Sequence, residues 1–526
     1  MLRSISTRSF CRFARIEALK TALAALLVLA ALASPAQAAR VSVIVVPPFD
    51  PATYAGRGAV GLFVPGSGDT VSRAGAVASL VRGKVEPAVL GGTPSGKPKI
   101  SLATRPAAVT IYVALPPAGK HANTKRYPIA VVGGGYHGIL TSRSTRIRGL
   151  VSIADVAPTA TAIAAGKRPV IRSQPDARAV AHLEELDRRM TRTHDARLWA
   201  TLILVCSVLG GAVIAFGTGS RYVGRAGLMM APAVVAASLF LSAVGVTRVP
   251  AVVALLAGLT LASAFVVAAV PRALPWVLAL VVVAYLVVLS AWPEVNSLAA
   301  LGARPDGGGR FYGIANVTET VLLTISLEAT AFLGRRAIVP MLLLTLVTIG
   351  WSHAGADGGG IVVVLTAFGV LAARMYRVRP TPGRIAAAAV GVVLLVAALV
   401  GLDAATGGSS HVTHAFRTGP VSLVEELGHR IHISAASIGS GWHQAIVFGV
   451  SIAALVILGT RPPRFPAGDA LLAGLAVSLL VNDSPSDVAA AGAVSYAVMW
   501  AYERVREPVK PRTALSSSET LSSTHR

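Results

Sequence analysis

The chain has 526 residues, of which 54% are apolar and only 14% charged, with a mean hydropathy of +0.66. That balance excludes an ordinary soluble protein. A formal charge of +24, from 48 Lys and Arg against 24 Asp and Glu, would point to nucleic acid in a soluble chain. Here the basic residues fall in the N-terminal third and between apolar runs, without interleaved stacking aromatics, so no nucleic-acid partner is expected.

Residues 1–39 open with Arg3, Arg8, Arg12, Arg15 and Lys20, pass through an apolar run from Thr21 to Leu32 and end at Ala36-Gln37-Ala38. This is the pattern of a cleaved signal peptide, the alternative being an uncleaved first helix. Either way the following segment is placed outside the cytoplasm. Of the two cysteines, Cys11 lies in this leader and Cys206 in an apolar run, so no disulfide or thiolate metal site is expected within the mature chain.

Residues 40–175 alternate β-like runs with Gly/Pro/Ser punctuation: Val41–Val46, Gly61–Val64, Val109–Leu115, Ile129–Val132 and Leu150–Ile153. The pattern predicts a small extracytoplasmic α/β domain. Over residues 176–197 the period changes. Ala179, Leu183, Leu186 and Met190 recur at helical spacing among charged residues, which predicts a juxtamembrane helix.

Apolar runs then recur at 198–217, 227–246, 250–270, 274–292, 314–333, 337–352, 359–373, 385–402, 443–459, 468–481 and 487–502. The expected fold class is mainly α: a polytopic bundle of about eleven transmembrane helices over 198–502, behind the small α/β domain. Alternation from an external domain puts Arg221/Arg225, Arg272, Arg335/Arg336, Arg374/Arg377/Arg379/Arg384 and Arg461/Arg464 in cytoplasmic loops. The opposite loops hold only Arg248, Arg304, Arg310, Arg417 and Arg430. This asymmetry follows the positive-inside rule and places the chain in the inner membrane with its C-terminus in the cytoplasm. The Ser/Thr-rich residues 503–526 are expected to be a disordered cytoplasmic tail.

Polar groups at membrane edges are costly, so their positions carry functional information. Asn316 and Glu319 open the fifth run three residues apart and share a helix face, with Glu328 deeper. His353 and Asp357 lie in one outer turn, and Asn482, Asp483, Ser484 and Asp487 in the last. The loop Ala303-Arg304-Pro305-Asp306-Gly307-Gly308-Gly309-Arg310-Phe311-Tyr312-Gly313 and its echo Ala356-Asp357-Gly358-Gly359-Gly360 combine glycine with arginine. Glycines permit close backbone approach to a ligand, and Arg304 and Arg310 could hold a phosphate or carboxylate. The alternative is a pair of tight turns whose charges meet lipid headgroups.

In the outer loop 403–441, His411/His414 and His429/His432 flank Glu425 and Glu426, with Leu423, Val424, Leu427 and Ile431 forming an amphipathic stripe. The stripe favours an interfacial helix over a zinc site, because no His-Glu-x-x-His pair is present. In the N-terminal domain, His137 follows Gly133-Gly134-Gly135 after a strand-like run, and with Asp155 it is the nearest approach to a metal-ligand pair.

Three blocks carry a family resemblance: Arg126-Tyr127-Pro128-Ile129-Ala130-Val131-Val132-Gly133-Gly134-Gly135, Gly138-Ile139-Leu140-Thr141-Ser142-Arg143-Ser144-Thr145-Arg146 and Gly149-Leu150-Val151-Ser152-Ile153-Ala154-Asp155-Val156-Ala157-Pro158-Thr159. They resemble bacterial multi-spanning membrane proteins whose exported domain is related to the alkaline phosphatase/sulfatase superfamily. Gly309–Asn316, Gly355–Gly360 and Asn482-Asp483-Ser484 look like that group's membrane motifs. The resemblance implies Asp and His metal ligands and a Thr or Ser nucleophile. This sequence has Pro47-Pro48 where an early Asp would stand, and Tyr136-His137 in place of an Asp-His pair. A two-metal site cannot be assembled from Asp50, Asp69, His121, His137 and Asp155.

The sequence therefore predicts a degenerate, non-catalytic external domain with no metal or cofactor. It also predicts an outward-facing polar cavity lined by Arg304, Arg310, Asn316, Glu319, Asp357, Asn482 and Asp483. The expected partners are membrane lipids and an anionic lipid-linked or small-molecule ligand. The alternatives are a metal-dependent phosphatase or phosphotransferase acting on a lipid headgroup, and a scaffold that docks a partner.

Overall fold

The computed structural model describes residues 40–506 apart from 86–93, 95, 308–309, 380, 406–427, 429–430 and 440. The expected signal peptide, most of the tail, the residues His411, His414, His429, Glu425 and Glu426, and most of the amphipathic stripe lie outside the described residues.

Among the described residues the N-terminal domain has nine strands: β1 (Val41–Val46), β2 (Gly58–Val64), β3 (Thr70–Ser72), β4 (Val109–Ala114), β5 (Lys120–Ala122), β6 (Tyr127–Gly133), β7 (Gly138–Ser142), β8 (Leu150–Ser152) and β9 (Ile171–Gln174). All five β-like runs of the sequence are strands; the four missed ones are short or interrupted by polar residues. The main sheet is mixed, in the order β1-β4-β6-β2-β7-β9, with β8 also paired to β2. β1 runs parallel to β4, β6 antiparallel to both β4 and β2, and β7 parallel to β2. β3 and β5 form a separate ribbon.

Every residue of β2 is buried, as expected of a strand covered on both faces. One face packs under the helices α2 (Arg73–Arg82) and α3 (Val156–Ala164), through Ala76, Leu80, Val156 and Ala160 against Phe63, Ile111, Ile129 and Val131. A single turn, α1 (Ala52–Ala55), precedes them. The other face packs on Ala179, Leu183, Leu186 and Met190, the stripe legible in the sequence, together with Leu298 and Phe311 from the bundle's long loop. That helix, α4, runs unbroken over Ala179–Thr218. The expected juxtamembrane helix and the first span it feeds are one helix: nothing between Arg178 and Gly219 breaks it, so its first half serves the sheet and its second half the bundle.

The bundle continues with α5 (Arg221–Ala243), α6 (Val249–Ala269), α7 (Leu274–Ala291), the short α8 (Pro293–Ser297), α9 (Asn316–Leu333), α10 (Ile338–Gly350), α11 (Gly358–Met375), α12 (Pro382–Ala405), α13 (Trp442–Thr460), α14 (Pro466–Val481) and α15 (Pro485–Arg506). Helices occupy all eleven predicted runs. By length and composition, however, six of them are long and apolar enough to cross a membrane among the described residues: α4, α5, α6, α7, α11 and α13. The helices α10 and α14 are short, with 13 and 16 residues, and α9 carries Glu319 and Glu328 among buried Thr and Ser. The chain is thus mainly helical, and its several long apolar helices make it a membrane protein of multi-pass type. α15 extends to Arg506, so residues 503–506 of the expected tail are helical.

Large apolar side chains such as Leu261, Val266, Trp276 and Leu280 are exposed on α6 and α7, a surface suited to lipid. The interior helices are α5 and α9. Nearly every residue of α9 from Asn316 to Thr330 is buried, and its hydroxyls at Thr320, Thr324, Ser326 and Thr330 are satisfied by the carbonyls one turn back.

Candidate functional site

At the end of the bundle that carries the sheet domain, two irregular segments cross over α9: the 298–315 loop before it and the 351–357 turn before α11. Asn296 Nδ2 donates to Gly313 O at 2.7 Å, and Ile314 N donates to Gly355 O at 3.1 Å. Gly313 has φ +86° and its Cβ would lie 2.2 Å from Gly355 O, so no other residue fits there. The two loops are fused backbone to backbone, and their side chains are thereby aimed at one place.

Arg310 projects from the first loop and donates through Nη1 to Asp357 Oδ2 at 2.7 Å and to Ile314 O. Asp357 also caps α11, its Oδ1 accepting from Gly360 N at 3.0 Å. The Gly358-Gly359-Gly360 run is therefore the first turn of a helix, not a loop. Asn316, at the start of α9, donates to Asp483 Oδ1 at 2.8 Å. Asn482 sits at the end of α14; its Nδ2 donates to Ser478 Oγ and its carbonyl accepts from Ser434 Oγ. Glu319, one turn into α9, is 2% exposed, and neither of its carboxylate oxygens has a hydrogen-bond partner. Its Oε1 lies against Gly360, where a Cβ would come within 2.9 Å of it and 2.4 Å of Ile349 Cγ2.

Six of the seven sequence-nominated residues thus converge: Arg310, Asn316, Glu319, Asp357, Asn482 and Asp483. Arg304 stands apart on the rim, paired with Asp69 of the sheet domain at 3.4 Å. Arg310 keeps a third of its side-chain surface accessible. Burial pushes its guanidinium down, but the charges of Asp357, Asp483 and Glu319 more than reverse this, so it stays a cation at any accessible pH. Glu328, nine residues beyond Glu319, is about 13.5 Å away along α9 and on its opposite side. It lines a small hollow with Phe465, Met499, Tyr502 and Glu503.

The sheet domain sits directly over this cluster. Arg146 donates to Ser352 O at 2.8 Å, and its guanidinium lies 3.8 Å from the centroid of the Tyr312 ring. Asn123 Nδ2 donates to Gly307 O at 3.0 Å, and to the carbonyls of Gly66 and Gly68. Asp306 accepts a bidentate pair from Arg197 at 2.9 and 3.0 Å and meets His194 Nδ1 at 2.6 Å. Burial raises the Asp306 carboxyl, but the Arg197 guanidinium and His194 outweigh it and hold the group at about 2. Sequence reasoning nominated none of Arg146, Asn123, His194 or Arg197. Their partners lie 206, 184, 112 and 109 positions away, and no local pattern marks them.

The sheet domain's own candidates are each committed locally. Asp155 accepts from Ser142 Oγ at 2.7 Å, from Ser144 Oγ and from Ser152 N at 3.2 Å, closing a capping box on the 3-10 turn Ile153–Asp155 that leads into α3. Burial pushes its carboxyl up, and these hydrogen bonds only partly offset that. Thr145 Oγ1 donates to Leu150 O at 2.6 Å, and Thr159 Oγ1 accepts from Ile171 N at 3.0 Å. The Ser-x-Ser-Thr and Asp-x-x-Pro-Thr blocks therefore have a structural role here, tying β7 to β8 and α3 to β9. His137 Nδ1 contacts Gly135 O, His121 Nε2 contacts Ala118 O, and Asp50 caps Ala52. Among the described residues no group of three or more His, Cys, Asp or Glu is placed to hold a metal ion.

No family model, characterised protein or solved structure matches this chain.

Proposed function

We propose that this protein is an inner-membrane protein with its sheet domain outside the cell, in which the cluster beneath that domain binds or moves an anionic envelope lipid or solute. In this reading all eleven helical runs cross or enter the bilayer, and the sheet domain is a non-catalytic cap related to the phosphatase superfamily. The observation that carries it is Arg310: a cation fixed by one nitrogen to Asp357, still one-third accessible, at the membrane edge under a domain that shares its loop. The planar guanidinium has further N–H groups to offer a phosphate or carboxylate. The Arg146–Tyr312 stack and the Asn123–Gly307 bond make the cap a part of the site's wall.

Native mass spectrometry of the detergent-solubilised full chain tests this, with anionic phospholipid in one arm and inorganic phosphate in the other. A charge-assisted hydrogen bond contributes about 1.5–3 kcal/mol, so Arg310→Ala should weaken adducts roughly ten- to a hundred-fold. Arg310→Lys should restore part of the loss. Adducts in the first arm alone identify a lipid headgroup, and adducts in both a free anion. Equal adduct populations for wild type and Arg310→Ala in both arms would refute the reading.

A further inference from the structure

Arg310 explains how an anion is held but leaves Glu319 without a role. Its carboxylate is buried at the centre of the cluster with both oxygens unpartnered, an arrangement strongly unfavourable to an ionised carboxylate. Its nearest hydrogen-bonding neighbours are the Asn482 amide and the Asp357 carboxylate, and neither completes a hydrogen bond to it. Arg310 Nη1 serves Asp357 and Ile314 O, Gly360 N serves Asp357, and the Asn482 amide serves Ser478. The charged groups facing Glu319 are Arg310 and Asp357 from the two loops, with Asp483 and Asp487 beyond them at the start of α15. The helices α7 and α10, also packed on α9, contain no charged residue, and the charges of α5, α11 and α14 lie toward their other ends. Glu319 therefore stands in a site with three further carboxylates and one engaged guanidinium.

We propose that Glu319 is a proton-binding site, its buried and unpartnered carboxyl holding a proton beside the Arg310–Asp357 pair and exchanging it with water on the sheet-domain side. Protonated, Glu319 is a neutral neighbour that leaves Arg310 to Asp357 and to a ligand. Deprotonated, it is a second carboxylate competing for the same guanidinium and repelling an anion. Above the pH at which Glu319 loses its proton, ligand binding at Arg310 would thus be linked to uptake of one proton there; this linkage, unlike the proton site itself, rests on the functional reading above.

Infrared difference spectroscopy of the full chain in nanodiscs tests the proton site without any ligand. A protonated-carboxyl band is expected at neutral pH, shifted in D2O, lost in Glu319→Gln and retained in Glu328→Gln and Asp155→Asn. Should Glu319→Gln fail to fold, Glu319→Asp is expected to move the band. No band in the wild type, or one unmoved by either substitution at Glu319, overturns the proposal. So does a thermal stabilisation by sodium chloride but not choline chloride that disappears in the Glu319 variants, which would make the occupant an alkali cation. The linkage has its own readout: Arg310-dependent adducts should fall about tenfold per pH unit above the pH at which the band disappears, and a flat profile removes the coupling while leaving the proton site standing.

Discussion

Replacing Asp306 with Asn tests whether the sheet domain and the bundle are held in one geometry by the pair that joins α4 to the long loop. Asp306 is 4% exposed in its side chain, while Arg197 is 16% and His194 37% exposed. Most of the coupling therefore belongs to Arg197, whose Nε is already buried without a partner. The carboxyl is held at about 2 against an ordinary 3.8, which at about 1.4 kcal/mol per pKa unit is roughly 2 kcal/mol of stabilisation. Removing the charge also strands a largely buried guanidinium, so the total cost should reach about 2–4 kcal/mol. The sign with pH follows from a depressed carboxyl: the contribution is complete above the usual carboxylate range and is lost as pH falls through about 2. Hydrogen exchange read over residues 298–314 in the intact, detergent-solubilised chain is the assay. Asp306→Asn should raise exchange there about thirty-fold or more, and His194→Ala should raise it much less. Unchanged protection in Asp306→Asn, or an equal effect from His194→Ala, would refute the reasoning.

Two further outcomes follow from the same geometry. Gly360→Ala places a methyl group within 2.4 Å of Ile349 and 2.9 Å of Glu319 Oε1; it should lower the thermal midpoint by several degrees and abolish the infrared band assigned to Glu319, whereas Gly369→Ala, with open space at its Cβ, should change neither. Asp155→Asn should weaken the β7–α3 corner by about 1–3 kcal/mol, because its amide would face donor hydroxyls. The pH sign is opposite to that of Asp306: a raised carboxyl contributes fully below the usual carboxylate range and loses that contribution as pH rises through its folded value. Exchange at residues 138–164, corrected for intrinsic rates, should show that dependence in the wild type and lose it in the variant.

Much of the fold is written locally. Eleven apolar runs, the stripe Ala179–Leu183–Leu186–Met190 and five β-like runs are all periodicities of neighbouring residues, and each forms a helix or a strand, although by length and composition six of the helices are fit to cross a membrane among the described residues. Five of the seven nominated residues, Asn316, Glu319, Asp357, Asn482 and Asp483, follow from a rule equally local, that polar groups beside apolar runs are costly and so have a use, and Arg304 and Arg310 from the glycine–arginine pattern of their loop. The sequence also marked glycine runs, without distinguishing a ligand loop from the first turn of α11.

Only the tertiary structure decided what those residues do to one another. Arg304 and Arg310 look equivalent in one loop, yet Arg304 meets Asp69 on an exposed rim and Arg310 meets Asp357 in the cluster. Asp306, unremarkable in sequence, is the buried anchor of α4, and Asp155, which with His137 comes nearest to a metal-ligand pair in the sequence, closes a capping box. The physical reason is range. Hydrophobic periodicity is set by the backbone geometry of adjacent residues, whereas burial, charge pairing and the isolation of Glu319 depend on groups tens to hundreds of positions apart, brought together only when the sheet domain packs on α4 and on the bundle's long loop.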